Sequence, residues 1–170
     1  MPTFDASTAT CRVFTEKEGL LSRLAHDLEL DVRDFSVKVE GGVVLGTFEP
    51  RSLKVLHALR GGRPTSALSD KDKGDIEANV AREVLPSPAP IRFVSSSVKS
   101  GPSGAHVAGS LTLNGQERAI EVDTRIEANR LVAEVHLHQP DFGIRPFSAM
   151  MGALKIKPGL RVRLSLPRWE

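Results

Sequence analysis

The chain has little of what several protein classes require. Its 170 residues include one cysteine and no tyrosine, and aromatic residues make up 5% of the sequence. The single cysteine, Cys11, has no partner for an intrachain disulfide, and the paired cysteines of zinc motifs are absent. These absences exclude a disulfide framework and a cysteine-based zinc site. We expect Cys11 to be a buried apolar residue.

Charge of one sign and long hydrophobic runs are also missing. Lysine and arginine number 23 against 21 aspartates and glutamates, a formal net charge of +2. Such a small surplus does not indicate a nucleic-acid partner. No stretch reaches the roughly 18 consecutive apolar residues of a membrane span. The start of the sequence lacks a basic segment followed by an apolar run, so a cytoplasmic location without an integral membrane segment is expected.

The composition that remains is that of an ordered globular protein. Hydrophobic residues make up 40% and charged residues 26% of the chain. A chain of this length buries roughly 70% of its unfolded surface without disulfides or metals. We interpret residues 1–170 as a single domain.

Alternation of apolar and polar residues runs through most of the sequence. It is clearest in residues 160–166, where every second residue is Leu or Val and Arg161 and Arg163 lie between them. This period is typical of strands with one face in a core. Asn114-Gly115 separates two such stretches and predicts a tight hairpin. The predicted strands are 9–14, 28–39 with a bulge near Arg33 and Asp34, 43–48, 53–59, 91–98, 107–113, 120–126, 131–137 and 160–166.

Helices are predicted to be few and peripheral. Ser69 is a candidate N-cap for a helix that continues through Val84 and ends before the proline-rich segment 86–90. Two further short helices are predicted over Leu20–Ala25 and Pro146–Leu154.

Successive antiparallel strands with one apolar face form either a sandwich or a closed barrel. An eight-stranded antiparallel barrel would stand about 23 Å tall, with an interior able to hold one elongated ligand. An exposed sheet edge could also support a homodimer.

Several segments, taken in order, resemble the YceI-like family. They are Pro90–Val98, Val107–Gly115, Ala119–Val122 and Asp141–Ile144, with a less specific match at Cys11–Phe14 and Gly46–Pro50. The resemblance implies an all-β, lipocalin-like, eight-stranded barrel. It also implies that a polyisoprenoid or another long amphiphile binds in an apolar channel. We expect no cofactor.

On this hypothesis the apolar faces line a channel and bind the long-chain or isoprenoid molecule. Phenylalanine and methionine suit a tail without fixed shape. The predicted ligand-binding residues are Leu28, Leu30, Phe93, Leu111, Leu113, Leu131, Val135, Leu137, Phe142, Phe147, Met150, Met151, Val162, Leu164 and, at the rim, His26.

Two other functions stay open at this point. His26 with Asp27 could serve acid/base chemistry. Glu134, His136 and His138 share one face of a strand and, with Asp141, could bind zinc, although that face is opposite the apolar one. No Gly-x-Ser-x-Gly motif accompanies them, so we predict no enzyme.

The remaining alternative is a barrel filled by its own side chains and used as an interaction module. The basic residues Lys155, Lys157, Arg161 and Arg163 either contact lipid phosphates at a channel mouth or form a solvated face.

Overall fold

The computed structural model describes residues 2–19, 26–149, 152 and 154–168. Within these ranges the fold is all-β with one short α-helix, as predicted for its class. The strands are β1 (Thr3–Asp5), β2 (Thr10–Thr15), β3 (Lys17–Glu18), β4 (Asp27–Val32), β5 (Phe35–Glu40), β6 (Val43–Phe48), β7 (Leu53–Arg60), β8 (Arg63–Thr65), β9 (Ile91–Gly101), β10 (Gly104–Leu113), β11 (Gln116–Glu127), β12 (Arg130–His138), β13 (Ser148–Ala149), β14 (Leu154–Ile156) and β15 (Gly159–Pro167). The helix is α1 (Asp70–Asn79).

Twelve of these strands form one curled antiparallel sheet. Their order is β1-β5-β6-β9-β10-β11-β12-β15-β2-β4-β7-β8. A second, small sheet has the order β13-β14-β3. The main sheet therefore accounts for every predicted strand, and β1 and β8 extend it at its two ends.

The predicted count of eight strands differs from the twelve in the main sheet. Part of the difference arises where extended stretches of chain are interrupted and counted as two strands. Only residues 33–34 separate β4 from β5, and only residues 49–52 separate β6 from β7. β1 and β2 are likewise separated by residues 6–9 alone. The sequence pattern predicted the break between β6 and β7 and a change of phase between β4 and β5, but it did not predict the short strands β1 and β8.

The interruption at Arg33 and Asp34 reverses which residues face inward. Leu28, Leu30 and Val32 face the interior before it, and Val37 and Val39 face the interior after it. The sequence predicted this change of phase but assigned it to a bulge. Instead the chain leaves the ladder for two residues, whose backbone groups bond across the corner to Ser52 and Glu49.

Bulges do occur in two other places. The β9 and β10 ladder shifts register at Ala108 and Gly109, leaving Ser96 as the extra residue on β9. The β4 and β7 ladder shifts between Glu29 and Leu30, leaving Leu56 as the extra residue on β7.

The hairpin predicted at Asn114-Gly115 is confirmed. β10 and β11 pair from Leu113 and Gln116 outward. Asn114 and Gly115 have φ values of 54° and 73°, the left-handed pair of a two-residue hairpin turn.

The predicted helix beginning after Ser69 is also confirmed. The Ser69 hydroxyl accepts a hydrogen bond from the Asp72 backbone N–H at 3.1 Å, and an Asp72 carboxylate oxygen accepts one from the Ser69 N–H at 3.0 Å. This reciprocal capping box fixes the first turn. The last turn, Val80–Val84, widens into a π-helical turn before Pro86 ends it.

The helix predicted over Pro146–Leu154 is wrong in the part that the structure describes. Ser148 and Ala149 pair as a strand with Lys155 and Leu154. Gly152 has a φ of +87°, which a right-handed helix does not allow. Met150 and Met151 lie outside the described residues, as does the helix predicted over 20–25.

Buried side chains form three clusters on the inner side of the main sheet. One lies at the corner around Phe4, Cys11 and Phe35, another around Leu111 and Phe142, and the third around Leu28, Leu30 and Val55. Cys11 is 2% exposed, as expected for an apolar filler. Among the described residues, no helix combines the length and apolar character needed to cross a membrane.

Candidate functional site

The inner faces of the main sheet enclose a large apolar cavity. Its volume is about 1020 Å³. It extends from the β9 and β10 hairpin, at Gly101 and Gly104, to the opposite ends of these strands, where Leu113 and Ile91 line it. We call the end at Gly101 and Gly104 the hairpin end of the cavity. The end at Leu113 and Ile91, where α1 packs, is the helix end. Because the interior is hollow, the alternative of a barrel filled by its own side chains is wrong.

Thirteen of the predicted ligand-binding residues line this cavity. Ten of them are apolar strand residues that alternation turns inward, and Phe142 and Phe147 follow β12. His26 lies at the helix end. They are Leu28, Leu30, Phe93, Leu111, Leu113, Leu131, Val135, Leu137, Phe142, Phe147, Val162, Leu164 and His26. Met150 and Met151, also predicted, lie outside the described residues. That any of these residues binds a ligand remains a prediction.

Two glycines make room for phenylalanine rings inside the sheet, Gly109 for Phe93 and Gly46 for Phe48. A Cβ at Gly109 would lie 2.6 Å from Phe93 Cζ and 2.4 Å from the Val94 carbonyl oxygen. A Cβ at Gly46 would lie 2.9 Å from Phe48 Cε2 and 3.5 Å from Phe93 Cβ. Since no other residue type fits here without movement, the two glycines determine where the aromatic lining sits.

The helix α1 packs beside the cavity and contributes to its wall. Ile76 packs on the cluster around Leu28 and Val55, and Val80 and Val84 follow it along the lining. Glu77 attaches the helix to the sheet, because its Oε2 accepts a hydrogen bond from the Val55 backbone N–H at 2.9 Å.

Polar groups in the cavity wall are few. At the hairpin end the lining includes Ser100, Thr124 and Arg168. The Thr124 hydroxyl is fully used, since it accepts from the Ala105 N–H at 2.8 Å and donates to the Ala105 carbonyl at 3.2 Å.

The helix end carries Thr15, His26, Asp75, Asn79, Gln139 and Lys155 among its lining residues. Gln139 is only 5% exposed, which is unusual for an amide side chain. Neither Thr15 nor Gln139 was among the ligand-binding residues predicted from the sequence. A threonine at a strand end and a glutamine before a proline carry no pattern that distinguishes them from ordinary polar residues.

His26 and Asp27 do not form the acid/base pair considered above. His26 lines the cavity, whereas Asp27 lies at an outer groove beside His136 and His138. An Asp27 oxygen accepts the Lys17 backbone N–H at 2.8 Å. The two side chains therefore face different spaces, as neighbours on a strand do.

The face formed by Glu134, His136 and His138 does not form a metal site either. Glu134 is held by arginines, with Arg161 at 2.9 Å and Arg125 at 3.4 Å. Burial raises the pKa of Glu134, but Arg161 and Arg125 outweigh it and lower the pKa below its ordinary value. Within the described ranges no three His, Cys, Asp or Glu side chains come together as metal ligands.

The four basic residues near the end of the chain are paired with carboxylates. Lys155 lies 3.7 Å from Glu18, Lys157 2.9 Å from Glu16, Arg161 2.9 Å from Glu134, and Arg163 2.7 Å from Glu127. Arg161 also stacks over the Phe14 ring at 4.2 Å. Lys157, Arg161 and Arg163 therefore belong to an ion-paired outer face, whereas Lys155 lines the cavity at the helix end.

Comparisons with known proteins agree with this fold. The crystal structure of BcnA from Burkholderia cenocepacia superposes with a TM-score of 0.64 at 14% identity, covering 95% of this chain and 97% of that one. A Campylobacter jejuni YCEI protein superposes with a TM-score of 0.52 at 12% identity, covering 83% and 85%. No curated protein matches the chain in sequence.

The sequence itself also carries a family match. Residues 86–166, from the segment after α1 to the end of β15, match the model of the YceI-like domain. This range contains all four of the more specific segments on which the resemblance was based, whereas the two less specific ones, Cys11–Phe14 and Gly46–Pro50, lie outside it. The predicted resemblance is thus confirmed, and this is a chain of YceI-like fold whose residues 86–166 match the YceI-like domain.

Proposed function

We propose that this protein binds and sequesters or carries a long apolar amphiphile, isoprenoid or lipid-like, inside its cavity. The observation that carries the proposal is the cavity of about 1020 Å³ with its aliphatic and aromatic lining. Ligand sites in proteins are typically apolar concavities of about 300–1,000 Å³. Hollow space of this size costs packing energy, so it is expected where a ligand fills it.

The pairing of the interrupted strands supports a closed barrel around this space. If β1 with β2, β4 with β5, and β6 with β7 are each taken as one bent strand, every neighbour in the sheet remains antiparallel. β2 pairs β15 and β4 on one side of the corner, and β6 pairs β5 and β9 on the other. The pairings then return to their starting point through eight long strands, as in lipocalin-like barrels.

The length of the strands fits an extended tail. β11 has 12 residues, which span about 40 Å at ~3.3 Å per residue and about 30 Å along a barrel axis at a tilt near 40°. A tail of about 16 methylenes needs less than this, and its burial contributes roughly 13 kcal/mol at ~0.8 kcal/mol per methylene before ordering costs. Affinity near micromolar, about 8 kcal/mol, is the expected net result.

Two measurements test the proposal. Organic extraction of gently purified protein followed by mass spectrometry should release a long-chain molecule. Added amphiphiles should raise the melting temperature in proportion to tail length, since a ligand that binds only the folded state stabilises it by mass action.

A matched pair of variants locates the effect. Val135→Trp places a large ring in the cavity, and His136→Trp places the same ring on the exposed side of the same strand. Val135→Trp should abolish the dependence of the melting temperature on tail length, and His136→Trp should keep it. Empty extracts together with no tail-length dependence in the unmodified protein would refute the carrier function.

A further inference from the structure

Two polar side chains, those of Gln139 and Thr15, line the helix end of a mainly apolar cavity. The Gln139 side chain donates from Nε2 to the Lys157 carbonyl at 3.2 Å, and the Lys157 N–H donates to the Glu16 carbonyl at 2.8 Å. These bonds link the Gln139 amide, through the Lys157 backbone, to Glu16, the residue that follows Thr15 in the chain. Both Gln139 and Thr15 line the cavity.

Each of the two side chains has hydrogen-bonding capacity that the described protein does not use. Because the partner of Gln139 is a carbonyl, the amide must present Nε2 to it, and no described residue donates to Gln139 Oε1. The Thr15 hydroxyl is buried and has no hydrogen-bond partner among the described residues. Staggered rotamers about its Cα–Cβ bond give this hydroxyl more than one direction, and a ligand group in the cavity would favour the one that faces it. Buried polar groups without partners are rare and indicate a missing partner.

The charges at this end do not favour an anionic group. Lys155 is the only lysine or arginine that lines the helix end within the described ranges, and it is paired with Glu18 at 3.7 Å. The neighbouring Lys157 is paired with Glu16 at 2.9 Å. A phosphate here would face the amide oxygen of Gln139, and no unpaired Lys or Arg lies among the described residues that line this end of the cavity.

We propose that the helix end binds a neutral hydroxyl, so that the ligand class is a long-chain alcohol; this inference rests on the carrier function proposed above. A hydroxyl can donate to Gln139 Oε1 and accept from Thr15 at the same time. An ether, ester or ketone oxygen only accepts, and therefore leaves Gln139 Oε1 unsatisfied.

Three probes of one tail length test this proposal: 1-hexadecanol, hexadecyl methyl ether and hexadecyl phosphate. Their dissociation constants are measured on the unmodified protein from concentration-dependent thermal stabilisation, with stoichiometry from native mass spectrometry. The alcohol should bind about tenfold more tightly than the ether, the equivalent of one added hydrogen bond of about 1.4 kcal/mol. It should also bind more tightly than the phosphate.

Variants then assign the preference to the two residues. In Gln139→Leu and in Thr15→Val the ratio of ether to alcohol dissociation constants should fall toward one. Thr124→Val is the matched control, because Thr124 lines the opposite end and its hydroxyl is already bonded. The alcohol preference should survive in that control.

The two threonine variants also differ in stability without any ligand. Thr15→Val removes an unpartnered buried hydroxyl and should raise the melting temperature, whereas Thr124→Val breaks two hydrogen bonds and should lower it. This readout remains if Gln139→Leu fails to fold.

The outcomes separate the two proposals. Equal binding of alcohol and ether, tighter binding of the phosphate, or an alcohol preference that persists in both Gln139→Leu and Thr15→Val would overturn the hydroxyl site and leave the carrier function standing. Failure of all three probes to bind would overturn both.

Discussion

Glu77 attaches α1 to the main sheet through one hydrogen bond, and its removal should loosen the helix. Its Oε2 accepts the Val55 N–H at 2.9 Å, at the point where the bulge at Leu56 takes β7 out of register with β4. Val55 is 5% exposed, so in Glu77→Ala its N–H is left buried without this partner. We expect a loss of about 2 kcal/mol, since an unsatisfied buried donor costs roughly 1–3 kcal/mol.

The magnitude can be measured as a shift of the melting temperature. For a chain of about this size 1 kcal/mol corresponds to roughly 2–4 °C, so Glu77→Ala should melt about 4–8 °C lower. Chemical denaturation should show the same loss of unfolding free energy. Amide exchange should accelerate in α1 before it does in β10 or β11, because only the attachment of the helix is broken.

Two controls separate the hydrogen bond from the nearby ion pair. Glu77→Gln keeps an oxygen that accepts the Val55 N–H and should lose under 1 kcal/mol. Lys54→Ala removes only the 3.7 Å ion pair between Lys54 and Glu77. Because the Lys54 side chain is 45% exposed, this variant should lose less than about 0.5 kcal/mol of stability. If Glu77→Ala is as stable as the unmodified protein, or if Lys54→Ala matches its loss, this reasoning about the attachment is wrong.

Two further predictions concern the interior. Burial, with a smaller contribution from Asp31, raises the pKa of Cys11 from 9.0 to about 12, so the folded state holds this proton more tightly than the unfolded chain. The contribution of the protonated Cys11 thiol to stability is therefore complete below pH 9 and is lost as the pH rises from 9 toward 12. In Cys11→Ala the unfolding free energy from denaturation curves should decline less over this pH range, and an unchanged decline would contradict the prediction. Gly109→Ala should lose about 1–3 kcal/mol, because its Cβ would overlap the Val94 carbonyl oxygen and the Phe93 ring. Gly101→Ala, whose Cβ would meet nothing closer than 3.7 Å, should not show this loss, and equal losses in thermal melts would contradict the prediction.

Strand alternation was sufficient to predict which side chains face the cavity. A residue such as Val135 faces inward because its neighbours His136 and Glu134 are polar and must reach solvent or charged partners. The Asn114-Gly115 turn and the Ser69 cap were predictable for the same reason, since each depends on residues adjacent in sequence.

Features that depend on contacts distant in sequence were not predictable. The strand pairing of Ser148 with Lys155 is one example, because a short apolar segment after a proline is equally compatible with a helix. The role of Gln139 is another, because its bond to the Lys157 carbonyl joins residues 18 apart in the chain. The short strands β1 and β8 were also missed, since three residues are too few to show alternation.

The zinc hypothesis failed for a physical reason that the sequence could not reveal. Glu134, His136 and His138 do share a face, as period 2 requires, but β15 and β11 bring Arg161 and Arg125 against Glu134. Cross-strand neighbours depend on register, which alternation alone leaves undetermined.

The number of residues between β4 and β5 determines which side chains of β5 face inward, and this restricts the insertions and deletions that the corner can accept. Even-numbered side chains point inward up to Val32 and odd-numbered ones do so from Phe35 onward. A chain one residue shorter at this corner would present Lys38 to the interior and Val37 to water, so a single deletion there would turn β5 inside out. Two residues removed together would preserve the facing, and the tolerated lengths of this corner should therefore differ by even numbers.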